Sequence, residues 1–287
     1  MMIMRLMVMG DLHYSSELIE ADDQMIEARE DFYTDYLSEF LAFSADYHLS
    51  IGDLTHAGEL SEFDFIMSKV KSELLQGEFL YALGNHDTHT CSKADLQART
   101  GQYRYLAIEE EEAVLLVLDT AREDPDHWGG MIDEEQLNWL REQMNRYGHK
   151  PLLVFAHHPV YATTARSTEP MMSIDAALDI WSILNEHQGP GIFFNGHNHV
   201  QSVFQRDHWH FVQLAAVPDI PAVLLVNLQE QQLSINTILL KGTPYQELAN
   251  IFVKGMYDYE PHPDAKGDGH SAELLVSLSF QKKGMTP

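Results

Sequence analysis

Short apolar runs, each cut off by a polar turn, set the rhythm of this chain. Five of them have the length and boundaries of buried strands: residues 1–9 (MMIMRLMVM), 47–51 (YHLSI), 79–83 (FLYAL), 151–155 (PLLVF) and 191–195 (GIFFN). Between the first three, apolar positions recur at helical spacing. Met25, Phe32, Tyr36, Leu37, Phe40 and Leu41 predict a helix over 17–45. Phe65, Ile66, Val70 and Leu74 predict another over 61–75, with Ser61 as its N-cap. Residues 103–108 and 113–119 read as a hairpin around the acidic turn 109–112. Asp133 caps a helix to Tyr147, with Gln136 at the capping-box position. A further helix is expected over 174–187.

From Val200 the pattern becomes a meander of shorter strands near 201–204, 210–214, 222–228 and 232–239. The first half thus alternates strand and helix, and the second adds antiparallel strands. Two packed mixed sheets with helices outside satisfy both halves, giving a mixed α/β chain built as a four-layer αββα sandwich. Residues 1–240 are read as one main domain. Residues 241–287 are read as an extension packed on it as an edge strand, a cap or an oligomer contact. That extension comprises a loop marked by Pro261, Pro263, Gly267 and Gly269, then a strand-like stretch over 273–280.

Composition narrows the function. With 18 Lys and Arg against 44 Asp and Glu, the formal net charge of -26 repels nucleic-acid backbones and anionic membranes, which argues against a duplex-DNA nuclease. No apolar stretch approaches the ~20 residues that span a bilayer. The first run has little positive charge before it and no small-residue cleavage site, so a core strand and a cytoplasmic protein are expected. Cys91 is the single cysteine, which rules out an intrachain disulfide.

The chemistry sits where the five runs stop. They are followed by Gly10-Asp11-Leu12-His13, Gly52-Asp53, Gly84-Asn85-His86-Asp87, Ala156-His157-His158-Pro159 and Gly196-His197-Asn198-His199. Functional groups in open α/β sheets gather just past the carboxyl ends of strands, so these groups are expected to form one shared site. Asp11 and His13 lie two residues apart and project the same way from an extended segment; His197 and His199 repeat the spacing. Imidazole and carboxylate without thiolate suit Mn, Fe, Zn or Co and single out none of them. The other histidines carry less. His158 reads as packing or support, His56 and His89 are candidates for a pocket lining, and Tyr14 is placed to stack on a base or to cover the site.

Taken in order, GDLH, GD, GNHD, HHP and GHNH resemble the calcineurin-like metallophosphoesterases over about residues 3–240. LVLDT at 116–120 and QLNWL at 136–140 are similar to segments of the branch with cyclic-nucleotide phosphodiesterases and purple-acid-phosphatase-like proteins. The resemblance implies a dinuclear metal site between two sheets. Asp11, His13 and His199 would hold one ion, Asn85, His157 and His197 the other, and Asp53 would bridge them. His86 would face the substrate and stabilise the transition state or protonate the leaving oxygen, with Asp87 orienting it. The implied activity is hydrolysis of a small phosphate ester, foremost a diester such as a cyclic nucleotide. A phosphomonoesterase, or a non-catalytic metal-containing interaction module, are the alternatives. His56 departs from the family pattern, where Asp or Asn is common.

Overall fold

The computed structural model describes residues 3–267 and 273–278. Among these residues, the chain order is β1 (Met4–Met9), α1 (Asp23–Ala42), β2 (Tyr47–Ser50), α2 (Leu60–Glu73), β3 (Glu78–Tyr81), α3 (Lys93–Thr100), β4 (Leu106–Glu109), β5 (Val114–Val117), α4 (Glu134–Tyr147), β6 (Leu152–Phe155), α5 (Ile180–Leu184), β7 (Gly191–Asn195), β8 (Ser202–Arg206), β9 (Trp209–Gln213), β10 (Ala222–Gln229), β11 (Gln232–Leu239), α6 (Tyr245–Phe252) and β12 (Glu273–Ser277). They build two six-stranded mixed sheets, ordered β12-β11-β10-β1-β2-β3 and β4-β5-β6-β7-β9-β8. Strands β1, β2 and β3 run parallel, as do β5, β6, β7 and β9, so both sets send their carboxyl ends towards one edge.

Alternation along the strands explains the layering. Leu6 and Val8 of β1 face the second sheet and join Leu49, Leu153, Phe155, Ile192 and Phe194 in a core between the sheets. Met7 and Met9 face the other way, onto Phe32, Tyr36 and Phe40 of α1, Phe63 and Ile66 of α2, and Ala249 and Phe252 of α6. On the far side, Leu116, Val154 and Phe193 pack against Leu140 and Met144 of α4 and Ile180, Ile183 and Leu184 of α5. A strand buried on both faces favours apolar residues throughout, which is why most of the parallel strands read as unbroken runs, with buried His48 and Ser50 of β2 as exceptions. The αββα expectation holds.

Several boundaries differ from the sequence reading. Helix α1 starts at Asp23, where the Asp22 carboxylate accepts from Met25 N at 2.8 Å. The preceding residues are held elsewhere, Ile19 N donating to Gly255 O at 2.7 Å. Helix α2 begins after Glu59, not Ser61. The stretch from Ile174 is broken: Asp179 has φ 42°, and its side chain caps α5, which spans only Ile180–Leu184. Asp133 does cap α4, but Gln136 turns away from the capping box and clasps the main chain of Asp119 (2.9 and 2.8 Å). Helix α3 was not anticipated, since only Leu96 on it is buried. The stretch beyond 240 supplies α6 to the first core and pairs β12 with β11. Of the strand-like run 273–280, residues 279 and 280 lie outside the described residues.

Candidate metal centre

All five strand ends converge. Asp11 and His13 follow β1, Asp53 follows β2, Asn85 and His86 follow β3, His157 follows β6, and His197 and His199 follow β7. His13, Asp53, His197 and His199 adopt positive φ (49°, 47°, 70° and 54°). For residues with a Cβ, such conformations cost of order 1–3 kcal/mol each and cluster where side chains must be aimed. Two glycines allow the approach. A Cβ on Gly84 would lie 2.0 Å from Asp53 Oδ1, and one on Gly196 would lie 2.0 Å from Asp11 Oδ1.

Hydrogen-bond partners fix which nitrogen of each ring faces inward. His157 Nδ1 points at Ile51 O (3.2 Å) and His197 Nε2 at Met171 O (2.9 Å). A carbonyl only accepts, so these outer nitrogens carry the protons. The inner ones, His157 Nε2 and His197 Nδ1, then face each other at 3.2 Å, with Asn85 Oδ1 at 3.1 Å from His157 Nε2. The second group is arranged alike. His199 Nδ1 faces the Asp219 carboxylate at 3.7 Å, while His199 Nε2 and His13 Nε2 meet at 3.0 Å. Asp53 Oδ2 reaches both groups, 3.1 Å from His157 Nε2 and 3.7 Å from His13 Nε2. Asp11 Oδ2 lies 3.3 Å from His199 Nε2; Asp11 Oδ1 is buried with no hydrogen-bond partner among the described residues.

Two pairs of inward lone pairs, an orphaned carboxylate oxygen and a shared carboxylate make a donor set that cations fit. Asp11, His13 and His199 form one cluster of ligand atoms, and Asp11, Asp53 and His157 another. Without a metal the rings hold protons unequally. Burial presses His157 down, but the Asp53 and Asp11 carboxylates override it and hold its pKa up to about 9. Burial and neighbouring His157 push His197 down to about 3. Burial likewise drives His13 well below the ordinary histidine value, with His86 adding to the effect.

The other expectations resolve unevenly. His86 Nδ1 donates to His56 O at 2.7 Å, leaving Nε2 for other work, and its main-chain N donates to Asp53 Oδ1 at 2.8 Å. Asp87 does not touch that ring. Its carboxylate accepts from Gly84 N and from Thr55 N and Oγ1 (2.8–2.9 Å), so it ties the β2 and β3 loops together, and the expected orienting role is corrected. Buried and close to Asp53, its carboxyl is pushed up to about 7. His158 bonds Thr120 Oγ1 and Trp128 O at 2.8 Å and acts as support. Tyr14 stacks on Phe65 at 4.2 Å and packs into the helix layer. His56 and His89 both line a cavity beside His86. Sequence reasoning missed Asp219 and Tyr259, which have no flanking motif, and Glu62. The buried Glu62 carboxylate accepts from Ser16 N at 2.9 Å and Ala57 N at 3.0 Å, bracing the β1 and β2 loops.

A family profile described as calcineurin-like phosphoesterase matches residues 4–201, and the chain belongs to that family. Over 118 residues it is 30% identical to a probable glycerophosphodiester phosphodiesterase of Arcobacter nitrofigilis (40% of this chain, 42% of that one). Over 153 residues it is 26% identical to a probable cyclic nucleotide phosphodiesterase of Rhodopseudomonas palustris (52% of this chain, 54% of that one). The matches thus span about half the length of these curated relatives. In three dimensions the chain resembles a dimetal phosphatase from Danio rerio, with TM-score 0.70, 14% identity, and coverage of 96% and 99% of the two chains. It also resembles a purple acid phosphatase from yellow lupin seeds, with TM-score 0.58, 12% identity, and coverage of 96% and 54%. At such identities these two likenesses speak for the fold. Among the described residues, no helix is long and apolar enough to cross a membrane.

Proposed function

We propose that the chain is a two-metal phosphodiesterase acting on small phosphate esters. The observation that carries this reading is the inward-facing donor set: four imidazoles whose inner nitrogens meet in pairs at 3.2 and 3.0 Å, joined by Asp11, Asp53 and Asn85. Asp11, His13 and His199 would hold one transition-metal ion, and Asn85, His157 and His197 the other. Asp53 would be shared, consistent with its 3.1 and 3.7 Å approaches to the two groups. Bound there, Mn, Fe, Zn or Co would bring a water's pKa towards neutrality and offset phosphoryl charge.

The chain's own groups account for the rest. His86, with Nδ1 fixed on a carbonyl, presents Nε2 to the departing alkoxide as a proton donor. Beside it lies a cavity of about 510 Å³ walled by Leu18, Ile19 and Pro125. Its size suits the alcohol of a small ester. Glu17, Glu59 and Asp258 also line it, which disfavours alcohols carrying a second anionic group. A diester is preferred because both curated relatives are named as phosphodiesterases. A cyclic nucleotide falls within this class. Turnover of bis(4-nitrophenyl) phosphate beside 4-nitrophenyl phosphate tests the choice. A higher kcat/KM on the diester is expected, and the reverse order would make the protein a phosphomonoesterase.

A further inference from the structure

The residues beyond the family match have a share in the centre. The outer nitrogens of His157 and His197 rest on Ile51 O and Met171 O, both within the matched stretch. Those of His13 and His199 are held, through His56 in one case and directly in the other, by residues beyond that stretch. His199 Nδ1 faces Asp219 Oδ2 at 3.7 Å, on a side chain only 2% exposed. That carboxylate is held in turn by the Tyr259 hydroxyl on Oδ1 (3.1 Å) and by His262 N on Oδ2 (3.3 Å). His13 is held through a relay. His56 Nε2 donates to Tyr257 O at 2.5 Å, so His56 Nδ1 is left to accept from His13 Nδ1 at 3.4 Å. The Tyr259 ring packs edge-on to His13 (5.3 Å) and against His199 (5.7 Å).

We propose that Asp219, Tyr257 and Tyr259 form a positioning device for one metal site alone. They set the ring orientation and proton placement of His13 and His199, so that both turn a bare Nε2 to the ion. The residues after 240 are then a working part of the centre, and the other site is built without them. This rests on the two-metal reading above.

Ligand supports of this kind, once removed, weaken metal binding by about 10–100-fold. The test is Mn²⁺ titration of the full-length chain, Asp219→Asn and Tyr259→Phe, resolving the two affinities, with ¹⁵N NMR of the histidine tautomers in the metal-free protein. One affinity is expected to fall about tenfold or more in Asp219→Asn, and less in Tyr259→Phe, with the other within about twofold. His199 is expected to carry its proton on Nδ1 in the parent and to lose that preference in Asp219→Asn. Equal weakening of both ions, or no weakening of either, overturns the proposal. Tyr259→Phe keeps the ring packing and answers the question should Asp219→Asn not fold. A parent chain that does not bind two ions would instead sink the two-metal reading itself.

Discussion

His86 has Nδ1 tied to His56 O, and the proposed function gives its Nε2 to proton donation, where the other histidines of the centre give their free nitrogens to metal. Replacing it separates the two roles. His86→Ala is expected to keep its full metal content and lose kcat by ~10²-fold or more on bis(4-nitrophenyl) phosphate. A loss below about tenfold, or a missing ion, would contradict the assignment. At this scale the sequence was a good guide to residues that end a strand within a motif. Asp11, His13, Asp53, Asn85, His157, His197 and His199 all meet in one place. It was a poor guide to residues that act through others. Asp87 looked like a partner for its neighbour, yet its carboxylate closes a loop through Gly84 and Thr55. Asp219 reaches His199 from a segment without any pattern, and Tyr259 reaches Asp219 from 40 residues further on.

Elements were readable where burial imposes a period. Parallel strands covered on both faces leave unbroken apolar runs, and α1 and α2 leave stripes. Helix α3 has one buried residue and so no stripe, although Ser92 with Asp95 and the left-handed Gly101 mark its ends. The expected helix over 174–187 failed at Asp179, where local capping of Ser182 outcompetes continued winding. Just past α5 lies His187, fully buried and 6.1 Å from the Trp209 ring. Burial lowers its pKa to about 4, from 6.5 in an unfolded chain. Between these values the unfolded chain binds the extra proton, so stability is complete above about pH 6.5 and is lost as the pH falls towards 4. From pH 7.5 to 5 the metal-free parent should lose about 2 kcal/mol more than metal-free His187→Leu, as read by urea unfolding. Parallel pH profiles for the two proteins would show that His187 is not held neutral.

The whole molecule joins two sheets so that donor groups from each meet at one edge. Asp11 and Asp53 come from one sheet; His157, His197 and His199 come from the other. On the proposed function, that convergence would let a chain of formal net charge -26 attract phosphate esters, through bound cations confined to one edge. The same dependence makes metal content the most direct test. Elemental analysis of the purified chain and of Asp53→Ala, with anomalous diffraction to place the ions, should find two transition ions beside Asp53 in the parent and disturbance of both in the variant. A parent chain holding fewer than two, or ions seated away from Asp53, would contradict the account.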